Sequence, residues 1–399
     1  MRCRIDYGGE ILLQTQQHGE AWYVDPVKCR AIYMKDGAVA YEAMRFLGLG
    51  ILNRDIEKIE DGGTVAGTDP ITPTPLGTSY PCDPAPLQRV FNDTPYYAGL
   101  MLDGHFHMPQ LRVLTGEHAS APVLDVDVSK RDVACLFHSD RVTGAFAFYG
   151  IPSDLKDMGV NAARDIEQKY PGTIKHFLEL VSFPGYPVVP SQIDAVLNAD
   201  TGLFKGYGEF SLYLPHYSAV SPNDPAMREF YTIAEKHNLV VMMHPLQEQQ
   251  LAVEQVLRDF PNVKFLFHAM ERMSWANTFF DTDLDKYPNA YYSVDIDLFG
   301  QDATGKPFME SALDKQDFIT RFKQRWQDTL NLEVATWKTR IERHPNQFLW
   351  GTDRGTAAWN YDPEVGSLLE EYSRAFIGRL DPAVQEKYAH KNAESLLQN

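Results

Sequence analysis

The stretch Leu102-Asp-Gly-His105-Phe-His107-Met lies at the end of an apolar run that begins at Leu100. Residues two apart on a β-strand point to the same side, so the imidazoles of His105 and His107 are expected to face together. Two imidazoles so placed can hold one metal ion. The stretch therefore predicts a strand that ends in a metal-binding pair, with a chance alternation of histidines as the alternative.

Outward from this stretch, short apolar runs alternate with amphipathic segments. That alternation is typical of parallel strands joined by crossover helices. Eight runs predict an α/β fold, a closed (β/α)8 TIM barrel with its active site at the carboxyl ends of the strands. The predicted strands are 100–106, 145–149, 177–182, 203–209, 240–244, 264–268, 290–295 and 348–353. The clearest predicted helices are 162–169, 225–236, 246–259, 317–340 and 363–378.

Two further predicted strands end in a histidine. The run Val240-Val-Met-Met ends at His244, and the run Phe265-Leu-Phe ends at His268. Each histidine is the first polar residue after an apolar run. One such histidine is more often a core or loop residue, but two in consecutive strands of one barrel predict side chains that meet at its mouth.

The eighth predicted strand ends in Phe348-Leu-Trp-Gly-Thr-Asp353-Arg. A carboxylate at that place can bind a metal, orient its water and accept the proton of that water. The alternative is an aspartate that caps the following helix.

Taken together, His-X-His, His, His and Asp along strands one, five, six and eight resemble the amidohydrolase superfamily. The closest resemblance is to the branch of amidohydrolase-related hydrolases, lactonases and non-oxidative decarboxylases. It covers about residues 101–398, and the segment Tyr388-Ala-His-Lys-Asn-Ala-Glu resembles the closing helix of that branch.

The resemblance implies that His105, His107 and Asp353 bind a divalent metal. It further implies that His244 binds the metal or faces the substrate. His268 would then bind a second metal or polarise the carbonyl oxygen of the substrate.

The fourth predicted strand offers two candidate ligands. In many two-metal members of the superfamily a carboxylated lysine bridges the ions from this strand, and Lys205 is the only local lysine. Glu209 lies nearer the carboxyl end of the strand and resembles the Gly-Glu of metal-dependent deoxyribonuclease-like barrels. We therefore expect Glu209 to be a ligand or a bridge, which would allow one or two ions.

Imidazole and carboxylate ligands suit hard or borderline metals, so Zn²⁺ is the first expectation, followed by Mn²⁺ or Fe²⁺. The expected reaction is attack of a metal-activated water on the carbonyl of an amide, lactone or ester, with Asp353 moving the proton and His268 and His244 assisting. One alternative is non-oxidative decarboxylation on the same barrel. An alternative of another class is an inactive surface binding protein.

Several residues in the predicted loops are candidates for contact with a small-molecule substrate. Arg354 and Arg272 could each clamp a carboxylate with two hydrogen bonds. Aromatic and imidazole side chains would line the mouth, although a structural role fits each of them equally well. They are Tyr213, His216, Trp275 and Trp359.

The amino-terminal region predicts a separate small domain. Residues 1–60 are expected to form an α+β unit with strands at 11–14, 21–24 and 30–34 and helices at 39–47 and 53–59. The string Gly19-Glu-Ala-Trp-Tyr-Val-Asp resembles an uncharacterised domain of exported bacterial proteins, which favours an extracellular or envelope location over the cytoplasm. Residues 61–98, rich in Pro and Gly, are expected to form a linker to a barrel at 99–399.

Charge and hydropathy exclude several classes of partner. The net charge of -17 disfavours nucleic acid and anionic membranes. No apolar run approaches the roughly 20 residues that span a bilayer. The cysteines show no zinc-knuckle spacing, which favours free or buried thiols, with a disulfide in the amino-terminal segment as the alternative. A homo-oligomer is compatible with the sequence, as is a leader that precedes Met1.

Overall fold

The protein is described by a computed structural model that divides into two compact units, Met1–Pro75 and Leu76–Asn399. The described residues are 11–14, 20–24, 31–34, 89–108, 136–137, 142–152, 156–181, 189–212, 220–270, 275–295, 311–355 and 361–398.

The first unit contains a three-stranded antiparallel sheet. Its strands are β1 (Ile11–Gln14), β2 (Glu20–Val24) and β3 (Ala31–Met34). On one face, the Trp22 and Tyr33 rings pair across neighbouring strands with centroids 4.8 Å apart. These strands match the predicted ranges to within one residue, whereas the predicted helices at 39–47 and 53–59 lie outside the described residues.

The second unit is a (β/α)8 barrel, as the sequence predicts. Among the described residues, eight parallel strands pair in chain order, so each strand neighbours the one that follows it. The sheet closes between the last strand and the first, where the His107 amide donates to the Arg354 carbonyl across 2.9 Å. The strands are β4 (Met101–His107), β5 (Val142–Pro152), β6 (Ile174–Val181), β7 (Phe204–Ser211), β8 (Val240–His244), β9 (Lys264–Phe267), β10 (Ala290–Asp295) and β11 (Phe348–Gly351).

Helices lie between the strands, and several begin at an aspartate followed by proline. Asp224 and Asp362 each accept a hydrogen bond from the amide two residues on, and the proline occupies a position whose amide would have no helical partner. The helices are α1 (Lys156–Lys169), α2 (Pro190–Ala199), α3 (Pro225–Lys236), α4 (Gln250–Asp259), α5 (Lys315–Arg343), α6 (Pro363–Ile377), α7 (Pro382–Glu386) and α8 (Asn392–Leu396). Short helical turns occupy Gln247–Gln249, Ala276–Thr278, Phe279–Asp283, Leu284–Lys286 and Lys387–Lys391.

The barrel interior is filled by apolar side chains and closed at the amino ends of its strands by α8. Ala393 and Leu396 of α8 pack on the interior cluster, and the Asn392 amide group donates to the carbonyl of Phe348, the first residue of β11. The site must therefore use the opposite, carboxyl end. The strand side chains of this cluster are Leu102, Phe146, Phe148, Phe177, Val240, Met242, Leu266 and Leu349.

Residues 89–98, the end of the predicted linker, pack against α5 and α6. The Glu371 carboxylate accepts hydrogen bonds from the amides of Val90, Phe91 and Asn92 at 2.6, 2.9 and 2.9 Å. The Phe91 ring stacks on Trp326 with centroids 3.9 Å apart. This segment is thus part of the second unit. Within the described part of the chain, no helix is long and apolar enough to cross a membrane.

Candidate metal centre

The carboxyl ends of five strands bring the predicted histidines and carboxylates together. Parallel strands of a barrel end at one rim, so polar residues at these ends converge although they are far apart in the chain. The contributing residues are His105 and His107 of β4, Glu209 of β7, His244 at the end of β8, His268 after β9 and Asp353 after β11.

Four of these side chains each contribute one nitrogen or oxygen atom to a small group of closely spaced atoms. Nε2 of His105 lies 3.1 Å from Nε2 of His107 and 3.2 Å from Oδ1 of Asp353. The same Asp353 oxygen lies 3.0 Å from Nε2 of His107. Oε2 of Glu209 lies 3.6 and 3.5 Å from the two imidazole nitrogens.

These separations fit a bound metal ion. Zinc binds nitrogen and oxygen at about 2.0–2.1 Å, so four tetrahedral ligand atoms lie about 3.3 Å apart. The five separations given above, 3.0 to 3.6 Å, bracket that value. The atoms of His105, His107 and Glu209 therefore form a group that could hold an ion, and Oδ1 of Asp353 lies close enough to both imidazoles to join it.

The other oxygen of Glu209 faces a second group. Oε1 lies 2.6 Å from Nε2 of His268 and 3.4 Å from Nδ1 of His244. These three residues form another group of suitable spacing for a metal. Glu209 thus stands between two sets of imidazoles, one facing each of its oxygens.

Backbone geometry explains why Glu209, and not Lys205, reaches the centre. Lys205 lies near the amino end of β7 and is exposed, whereas Glu209 is buried near the carboxyl end. Gly208 has φ +120°, and a Cβ there would overlap the Met242 carbonyl, so only glycine fits. Asp353 adopts φ +51°, a left-handed conformation that aspartate tolerates better than most residues.

The buried carboxylates and imidazoles strongly perturb one another. Burial lowers the pKa of His105, but the charges of Asp353 and Asp295 outweigh it and raise the pKa well above its ordinary value. Burial also lowers the pKa of His268, but the charge of Glu209 outweighs it and raises the pKa to about 9. Burial would raise the pKa of Glu209, yet the charge of His268 and the surrounding imidazoles hold it well below its usual range. A metal ion would therefore compete with protons for the imidazole nitrogens of this centre.

Asp295, at the end of β10, belongs to the centre but was not singled out from the sequence. Its Oδ2 lies 3.0 Å from Nδ1 of His105 and 3.2 Å from Nδ1 of His268. Burial acts to raise its pKa, but His105 lowers it below the ordinary value. Asp295 ends its strand as His244 does, but Ser293 interrupts the apolar run two residues earlier, so the search for the first polar residue after an apolar run did not select it.

Of the residues predicted to contact the substrate, Arg354 and Trp275 lie within the described part of the chain. Arg354 is 3% exposed and lines a small cavity with Asp103, Trp350 and Glu370, and no histidine lines that cavity, which favours a structural role. Trp275 is buried, and its Nε1 donates to the Gln247 carbonyl at 2.9 Å, which ties two rim loops together. The other predicted contacts lie outside the described residues. They are Arg272, Tyr213, His216 and Trp359.

Comparison with solved structures finds one distant protein with a similar fold and two others with a weaker likeness. An amidohydrolase from Burkholderia multivorans, solved with bound zinc, has a TM-score of 0.50 and 14% identity over 75% of this chain and 99% of that one. A probable 2-pyrone-4,6-dicarboxylic acid hydrolase from Acinetobacter baumannii, with citric acid bound, has a TM-score of 0.47 and 13% identity over 74% and 98%. A 2,6-dihydroxybenzoate decarboxylase has a TM-score of 0.44 and 13% identity over 75% and 99%.

Comparison with curated proteins gives no significant match. The sequence of residues 198–398 matches the amidohydrolase family, Amidohydro_2. That range is just over half of the chain and runs from β7 to the closing helix, so it includes Glu209, His244, His268 and Asp353. The chain therefore belongs to the amidohydrolase family of metal-dependent barrel enzymes.

Proposed function

We propose that this barrel is a metal-dependent hydrolase that attacks the carbonyl carbon of a small-molecule amide, lactone or ester. The observation that supports this best is the division of Glu209 between two sets of imidazoles. Its Oε2 faces His105 and His107, and its Oε1 faces His244 and His268. A carboxylate shared in this way suits a pair of ions that activate water, whereas a decarboxylase needs only one ion to hold its substrate.

Zinc is the ion that best fits the proposed ligands, and Mn²⁺ or Fe²⁺ would follow. Imidazole nitrogen and carboxylate oxygen suit these borderline metals, and the ligand separations match tetrahedral zinc. In our assignment, His105, His107, Asp353 and Oε2 of Glu209 would hold the first ion. His244, His268 and Oε1 of Glu209 form the second position.

When bound, the ion would supply a Lewis acid that lowers the pKa of water and polarises a carbonyl. Asp353 is the proposed proton carrier, because its Oδ1 lies at the first position and its carboxylate can accept a proton from water and return it to the leaving group. The side chains of His107 and His244 are 27% and 16% exposed, whereas His105 is fully buried and His268 is 3% exposed. Substrate is therefore expected to approach from the side of His107 and His244.

Metal analysis of the purified protein tests the proposal directly. Wild type is expected to hold at least one equivalent of a tightly bound transition metal, and the double variant His105→Ala with His107→Ala should lose it. Glu209→Gln should lower the metal content, whereas Glu229→Gln, an exposed glutamate on α3, should not. Less than one equivalent in wild type, or full retention by the double variant, would overturn the assignment.

A substrate screen tests the reaction class separately from metal binding. Lactones, N-acyl amides and esters should be hydrolysed by the metal-loaded wild type and not by Asp353→Asn. Aromatic acids should be assayed in parallel by release of carbon dioxide. Metal-dependent carbon dioxide release without hydrolysis would establish the decarboxylase instead. Metal binding without turnover of either class would favour a binding protein.

A further inference from the structure

Asp295 is a fully buried carboxylate behind the histidine cluster. It ends β10, the one strand between β9 and β11, and its side chain is 0% exposed. Its Oδ2 contacts the Nδ1 atoms of His105 and His268 at 3.0 and 3.2 Å. A single oxygen atom of Asp295 thus contacts the Nδ1 atom of each of the two imidazoles.

That contact determines which nitrogens are available to a metal. A carboxylate only accepts hydrogen bonds, so Nδ1 of His105, which bonds to it at 3.0 Å, must carry a proton. At His268 the 3.2 Å contact is electrostatic, and a proton on Nδ1 is favoured because the lone pair of an unprotonated nitrogen would be repelled by the carboxylate oxygen. In a neutral imidazole the other nitrogen, Nε2, then has a free lone pair. Nε2 of His105 points at Asp353, 3.2 Å away, and Nε2 of His268 points at Glu209, 2.6 Å away. Both free lone pairs are thereby directed into the candidate metal centre.

The Asp295 carboxylate is also held in place by residues outside the histidine cluster. The Ser293 hydroxyl donates to Oδ1 of Asp295 at 2.5 Å, leaving Oδ2 to the imidazoles. On the neighbouring strand β11, residue 351 is glycine, and a Cβ there would lie 2.5 Å from the same Oδ1 and overlap the serine hydroxyl. Because Gly351 has no side chain, it leaves the space that the Asp295 carboxylate fills. This observation independently supports a specific role for that carboxylate.

Asp295 could instead be a ligand, because it also belongs to a group with His105, His268 and Asp353 whose atoms lie within 4.8 Å of one another. The geometry disfavours this role. Its oxygen faces Nδ1 of both imidazoles, whereas Glu209 and Asp353 lie on the Nε2 side. A nitrogen that donates its proton to Asp295 has no lone pair for a metal.

We propose that Asp295 is a positioning residue, which keeps the proton of both His105 and His268 on Nδ1 and so presents both Nε2 atoms as metal ligands. The proposal rests on the function proposed above, because it takes Nε2 as the ligand atom. Carboxylates that orient metal-bound histidines in other proteins change metal affinity about 10- to 100-fold when removed.

The first test needs no variant. Nitrogen-15 NMR of selectively labelled histidines in the zinc-loaded wild type distinguishes the two tautomers. The expected result is a proton on Nδ1 and metal on Nε2 for both His105 and His268. Metal on Nδ1, or a proton on Nε2, at either residue would overturn the proposal.

The second test compares variants by chelator competition with zinc. Asp295→Asn should weaken zinc binding about 10- to 100-fold and change the visible spectrum of the cobalt-substituted protein. Gly351→Ala, which leaves the carboxylate but displaces it, should act in the same direction. Asp283→Asn removes a largely buried carboxylate elsewhere and should leave both measurements unchanged.

The outcomes separate this proposal from the proposed function. If wild type binds no metal, the metal assignment fails before Asp295 is tested. If wild type binds zinc and Asp295→Asn binds it equally tightly with the same cobalt spectrum, only the positioning role fails. Loss of one whole equivalent, with the remaining affinity unchanged, would make Asp295 a ligand and overturn the proposal as well.

Discussion

The backbone amide of Asp353 donates a hydrogen bond of 2.9 Å to the carbonyl of His105. The two residues are also side-chain neighbours, because Nε2 of His105 lies 3.2 Å from Oδ1 of Asp353. One of the backbone hydrogen bonds that close the barrel therefore joins two members of the candidate metal centre. A distortion of the backbone where the first and last barrel strands meet should therefore displace the side chains of His105 and Asp353.

Asp353→Asn should abolish hydrolysis while preserving the fold. Asparagine has nearly the same shape and tolerates the left-handed φ of +51°, but it cannot accept the proton of a water. We expect kcat/KM to fall at least about 100-fold on any substrate that wild type hydrolyses. Asp157→Asn, whose side chain is 87% exposed on α1, is the control. Activity within threefold of wild type would exclude Asp353 as the proton carrier.

Removal of metal should lower thermal stability. Without an ion, Glu209, Asp295 and Asp353 remain as carboxylates close together, all largely buried. An ion at 1,000 times its Kd stabilises the native state by about 4 kcal/mol, which for a domain of this size raises Tm by roughly 6 °C. Differential scanning fluorimetry before and after chelation measures the shift. Re-addition of zinc should restore Tm, and an unchanged Tm would contradict a tightly bound ion.

His176, in β6 near the amino ends of the strands, should make stability depend on pH. Burial, assisted by the charges of Lys175 and Lys205, lowers its pKa to about 3, and the partly exposed Glu167, 3.6 Å away, does not overcome it. The unfolded chain binds a proton at this residue below pH of about 6.5, whereas the folded chain stays neutral. Its contribution to stability is therefore present above that pH and lost as pH falls.

The expected slope from His176 approaches about 1.4 kcal/mol per pH unit as pH falls from 6 to 4. Denaturant unfolding of wild type and His176→Gln at several pH values measures it as a difference. The variant should lose less stability than wild type over this range. Parallel pH profiles would show that His176 is charged in the folded protein.

Glu371→Ala should destabilise the barrel through its contacts with residues 89–92, none of which belongs to the metal centre. The substitution leaves the amides of Val90, Phe91 and Asn92 without their carboxylate acceptor. We expect a loss of about 2–4 kcal/mol in the free energy of unfolding. Glu364→Ala, with its side chain 57% exposed on the same helix, is the matched control. Equal unfolding midpoints for the two variants would contradict an anchoring role of Glu371.

The barrel could be predicted from the sequence because its strands pair in the order in which they occur along the chain. Locating the strands was therefore enough to predict the fold. Apolar runs at 240–244 and 290–295 coincide with β8 and β10. The first strand was predicted one residue early at both ends, since Leu100 is apolar but 57% exposed. Such boundaries depend on hydrogen bonds to neighbouring strands, which periodicity does not contain.

The centre was predicted less completely than the fold. Position at the carboxyl end of a strand was enough to find His244, His268 and Glu209, which the structure brings together. It did not reveal Asp295, because its significance lies in two contacts to imidazoles from other strands. Nor did it reveal that Arg354, next to Asp353, would be buried beside Asp103 instead of at the mouth.

The pairing of the first barrel strand with the last also bears on how the protein is made. His107 and Asp353 are 246 residues apart, so a growing chain carries the histidine pair long before the carboxylate that joins it. During that interval β4 lacks its closing neighbour, and an unpaired strand edge invites pairing with other chains. A translation product that stops before β11 would be a chaperone client or an aggregate, and not a smaller enzyme.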